Sequence, residues 1–88
     1  MKMEIKKKVF LRTVSGMDML IPVGDTVKDY NGIFTLSPTA ATAFRAIENG
    51  CDKNGIINAV LDEFDVDRET AEKDVDEFLD MLRQYGII

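Results

Sequence analysis

The sequence predicts an α+β domain, a small antiparallel sheet of three strands followed by three helices packed against one side of it. Three observations carry that expectation. Runs of β-branched and aromatic residues with period-two alternation fill the first third of the chain. Apolar residues at helical spacing fill everything after Ser37-Pro38. The length, 88 residues, suits one domain and is too short for two.

The strands come first. Val9-Phe10-Leu11-Arg12-Thr13-Val14 alternates, with Val9, Leu11 and Thr13 on one face and Phe10, Arg12 and Val14 on the other. Ser15-Gly16 marks a turn into a second strand, Met17 to Val23. Pro22 has no N–H, so that side of it must meet an edge, a bulge or solvent. Gly24 to Asn31 reads as a loop, Asn31-Gly32 as a turn, and Ile33-Phe34-Thr35-Leu36 as a short third strand. Three short strands leave two sheet edges, and at least one is expected to stay open to a further strand.

The helices follow from their caps and stripes. Ser37 precedes a proline at the first helical position, where a missing N–H costs nothing. Ala40, Ala41, Phe44 and Ile47 then recur at helical spacing up to Asn49-Gly50. Asp52 can cap a second helix with the stripe Ile56, Ile57, Val60, Leu61 and Phe64, which Gly55 weakens by about 1 kcal/mol relative to alanine. Asp67 can cap a third, with Glu69 and Glu72 in its first turns and a core stripe of Ala71, Val75, Phe78, Leu79 and Leu82. Gly86 stands where a left-handed terminating residue belongs, and Ile87 can fold back onto Leu82.

Charge is divided along the chain. Residues 1–44 hold six Lys/Arg against four Asp/Glu, while residues 45–88 hold five against twelve, so the net −5 sits in the helical half. Ten carboxylates lie between Asp62 and Asp80, opposed there by Arg68 and Lys73. Such a surface repels phosphate backbones and suits either a solvated helix face or the steering of a basic partner. The basic start (Lys2, Lys6, Lys7, Lys8, Arg12) reads as a frayed end over residues 1–8 followed by an edge strand with protective lysines. It lacks the apolar stretch of a secretory signal, and no apolar run approaches a membrane span. One cysteine, Cys51, cannot form an intramolecular disulfide, which fits a reducing cytoplasm.

Chemistry is scarce. The chain has no histidine and no glycine-rich phosphate loop, and its single cysteine makes no zinc or iron–sulfur spacing. Asp62, Asp65 and Asp67 resemble the start of a calcium loop without the glycine its sixth position requires. Carboxylates spaced i,i+4 on the third helix, such as Glu72 with Asp76, read as tolerated repulsion on a wet face. Cys51 beside the second helix reads as an ordinary loop thiol. No catalysis, metal or cofactor is expected of this chain.

The chain does resemble the PqqD family, the pyrroloquinoline quinone synthesis protein D family and its relatives. The resemblance rests on Ile21-Pro22-Val23-Gly24, on Tyr30-Asn31-Gly32-Ile33-Phe34-Thr35-Leu36-Ser37, and on an alanine-rich helix ending Glu48-Asn49-Gly50. It continues through Phe64-Asp65-Val66-Asp67, Thr70-Ala71, Asp74-Val75, Phe78-Leu79, Leu82 and the terminal Tyr85-Gly86-Ile87-Ile88. It covers the chain from about Val9 to its end. Ser37-Pro38 departs from the Asn-Glu usual there, and Cys51-Asp52 from a threonine cap, but each replacement can still cap.

What the resemblance implies is a winged-helix-like, noncatalytic recognition element for ribosomally made and modified peptides. Such a domain, here residues 1–88, takes up the leader of a precursor peptide and presents it to a modifying enzyme, often a radical SAM protein. The leader would be captured as an added strand on the third strand's edge. Carried onto this sequence, Ile33, Phe34, Thr35 and Leu36 supply the receiving edge, and Asp74, Phe78, Met81 and Tyr85 line the groove beside the third helix. The residues also leave two other roles to weigh. A winged-helix nucleic-acid binder is disfavoured by the acidic third helix and by a second helix offering only Lys53. An assembly protein pairing with itself through the same open edge would give a homodimer.

Overall fold

β1 (Val9–Val14) and β2 (Met17–Pro22) form a hairpin whose two turn residues, Ser15 and Gly16, both have positive φ, 51° and 78°. Two positive φ angles in a two-residue loop are the turn geometry whose twist matches that of the flanking strands. β3 (Phe34–Leu36) pairs antiparallel with β2, so the sheet order is β1-β2-β3. The computed structural model describes residues 3–24, 28 and 34–88. Ile33, the Asn31-Gly32 turn and most of the loop expected from Gly24 lie outside them.

The register decides which main-chain groups the sheet leaves over. Val23 N–H donates to Lys8 O at 3.1 Å, one step beyond the Val9↔Pro22 pair. Bonded and non-bonded pairs alternate in an antiparallel ladder. Phe10↔Ile21, Arg12↔Met19 and Val14↔Met17 are therefore the bonded pairs of the hairpin, and Pro22 sits where β1 needs no N–H from it. The same alternation turns the main chain of Asp18 and Leu20 toward β3, where their partners are Leu36 and Phe34. Thr35, between those two, points its own N–H and C=O away from β2, toward the outer border of the sheet.

Three helices back one face of this sheet. α1 (Pro38–Glu48), α2 (Lys53–Glu63) and α3 (Arg68–Gln84) begin at the expected caps. Ser37 Oγ accepts from Ala40 N at 3.1 Å, Asp52 Oδ1 from Gly55 N at 2.9 Å, and Asp67 Oδ1 from Thr70 N at 3.1 Å. Val9 and Leu20 meet Phe44, Ile47, Ile56, Ile57, Val60 and the α3 stripe in one core. All five stripe residues expected on α3 are buried. Each such aliphatic or aromatic side chain contributes roughly 1.5–3 kcal/mol on leaving water. Leu61 and Phe64, at the end of the α2 stripe, are only partly covered. Among the described residues no helix is long and apolar enough to cross a membrane.

Both chain ends depart from, or sharpen, the expectation. Residues 3–8 do not fray. Met3 and Ile5 pack against the core, and Lys6 N–H donates to Ile87 O at 2.6 Å. The lysines suggested a solvated end, yet half-buried Met3, Ile5 and Lys7 alternate with exposed Glu4, Lys6 and Lys8, as in a strand laid on a surface. At the other end Gly86 takes φ 71°, Ile87 N–H donates to Leu82 O at 2.8 Å, and Gly86 N–H donates to Arg83 O at 3.0 Å. This is the Schellman arrangement, and it drives Ile87 fully into the core.

Candidate functional site

β3 passes directly into α1 through Ser37, and α3 lies alongside both. Their meeting leaves a groove of about 430 Å³. Its lining comes from the β3 edge (Thr35, Leu36), from the start of α1 (Ser37, Thr39, Ala40, Ala43), and from α3 between Asp74 and Met81. Small side chains at Ala40 and Ala43, one turn apart, keep the α1 wall low enough for a cleft to open. Phe78 and Val75 form the apolar floor, and half-buried Met81 supplies a flexible, polarizable flank.

Thr35, Leu36, Asp74, Phe78 and Met81, five of the eight residues expected at the site, thus converge on one groove. Phe34 and Tyr85 do not line it. Their rings meet edge to face with centroids 4.8 Å apart, joining the start of β3 to the end of α3. That contact, with Ser37 and Asp74 lining the same groove, sets β3 and α3 side by side in opposite directions. Ile33 lies outside the described residues. Sequence reasoning missed the α1 wall and Glu77. The small pair Ala40 and Ala43 just past the third strand was the available signal for the wall, but nothing local announces which helix will face it.

Charge in the groove has one sign. Asp74 and Glu77 are exposed on its rim, and no Lys or Arg among the described residues lines it. The other α3 carboxylates are largely paired: Glu72 with Arg68, Asp76 with Lys53, and Asp80 with Arg83. Lys53, the cation noted on the second helix, is thereby engaged with an aspartate. Among the described residues neither Asp74 nor Glu77 takes an ion pair or a side-chain hydrogen bond. Among the described residues the arrangement is a strand edge that no strand occupies, above an apolar floor with an anionic rim.

The family model described as coenzyme PQQ synthesis protein D (PqqD) matches residues 19–88, from within β2 to the last residue. The chain belongs to the PqqD family. Among solved structures, that of TbiB1 in complex with the TbiA(beta) leader peptide is similar to this PqqD-family chain with a TM-score of 0.73 and 24% identity, covering 97% of this chain and 93% of that one. At that identity the likeness speaks for the fold, and it extends the shared architecture beyond the matched family segment to β1. No curated protein matches the chain.

Proposed function

We propose that this PqqD-family chain acts as a single recognition domain in the cytoplasm, binding peptide without catalysing a reaction. It takes the leader of a ribosomally made precursor as a fourth strand beside β3 and presents the remainder to a modifying enzyme, with a radical SAM protein the foremost candidate. The observation carrying this reading is Thr35. Its N–H and C=O face outward at an edge that no described strand occupies, directly beside a groove able to take the guest's alternate side chains. Family membership and the likeness to TbiB1, which was solved with a leader peptide, support it. The acidic α3 and the engaged Lys53 weigh against nucleic acid as the ligand.

Titrating a candidate leader into isotopically labelled domain tests the reading by NMR. Shifts should concentrate at Thr35, Leu36, Asp74, Phe78, Met81 and Tyr85, whereas shifts confined to β1 would move the site to the other edge. Thr35→Pro removes an N–H that β2 does not use, so the sheet should survive while affinity falls about tenfold, the worth of one main-chain bond with its local geometry. A folded Thr35→Pro domain with unchanged affinity would overturn strand addition at β3.

A further inference from the structure

We propose that the groove selects its guest by charge as well as shape: the captured segment carries an aliphatic residue and, two positions away on the same face, a lysine or arginine. This rests on the strand-addition reading above and specifies the chemistry of its ligand. Two features on α3 carry it. Phe78 and Met81 form an apolar seat with Ala40 and Ala43, and Asp74 with Glu77 forms an anionic one, each a side-chain pair three residues apart along the helix. The centres of the two pairs are four residues apart, about 6 Å along the axis. Side chains on one face of a strand recur every two residues, about 6.8 Å. Because β3 and α3 lie side by side, a strand added to β3 runs along α3 and meets both seats with consecutive inward-facing positions.

The charge pattern is selective rather than general. Arg68, Lys53 and Arg83 neutralise Glu72, Asp76 and Asp80, whereas the two carboxylates on the groove are left without a cation from the described part of the fold. Lys73, the neighbour of Asp74 in sequence, does not line the groove. An acidic guest residue at that seat would face two like charges beside a low-dielectric wall, so the rim rejects as well as attracts.

The test is selection from a displayed library of random peptides, using the wild-type domain and the double variant Asp74→Asn/Glu77→Gln. Both positions are exposed, so the variant should keep the wild-type melting temperature. Wild-type pools should enrich Lys or Arg two positions from an aliphatic residue, and the double variant should capture peptides without that preference. For one selected peptide, changing its basic residue to glutamate should weaken binding to the wild-type domain about tenfold, and to the double variant by less than about twofold. Captured peptides with no basic preference, or with one that persists in the double variant, overturn this inference and leave strand addition standing. A wild-type domain that captures nothing, or captured peptides that bind Thr35→Pro equally well, overturns strand addition and this inference with it.

Discussion

Single residues hold the corners of this fold, and the start of α3 shows how. Thr70 donates to the Asp67 carboxylate through its hydroxyl and its main-chain N–H, which holds the Asp67 carboxyl below the ordinary aspartate range. A carboxylate with a lowered folded-state value contributes its stabilisation above the unfolded-state value and loses it as pH falls through the folded one. The charge-dependent part of the cap's contribution is therefore complete at neutral pH and is lost progressively as the pH falls below about 4. Thermal melts of Asp67→Ala should fall below wild type at pH 7, and the gap should narrow as the pH is lowered past 4; a gap of unchanged size in acid would separate the cap from its charge. Gly55 corrects a simpler view of its cost. A Cβ there would lie 3.0 Å from Cys51 Cβ, so the residue reads as a weak helix former in sequence and, in space, as the place where the first turn of α2 closes against the connection that leads into it.

At the scale of elements, the most legible part of the chain was α3. Its stripe, cap and terminator are all local patterns, and a 3.6-residue period sets Asp74, Met81 and Tyr85 on one flank of that stripe, of which Asp74 and Met81 line the groove. A Cβ at Gly86 would meet nothing within 4 Å, so Gly86→Ala should cost about 1 kcal/mol through its positive φ alone, lowering the melting temperature by several degrees. A variant as stable as wild type would mean that Ile87 does not depend on that turn. Less legible were contacts between elements distant in sequence. The α1 wall of the groove exists only once α1 has packed beside α3, and the pairing of Lys6 with Ile87 joins residues at opposite ends of the chain. Neither leaves a local signature. The half-buried alternation of residues 3–8 was present in the sequence, but three consecutive lysines masked it.

For the molecule as a whole, the distribution of charge sets how binding should respond to salt. Strand pairing and an apolar floor are insensitive to screening, and the groove contributes two carboxylates. Guest affinity should therefore fall only shallowly with added salt, with a log–log slope of about 1. A slope several times steeper in fluorescence anisotropy would place the binding energy on the acidic face instead. The clasp between Lys6 and Ile87 has a consequence of another kind. Because residues 6 and 87 stand one hydrogen bond apart, everything folded between them shares a single seam, and local opening there should loosen the first strand and the last helix together.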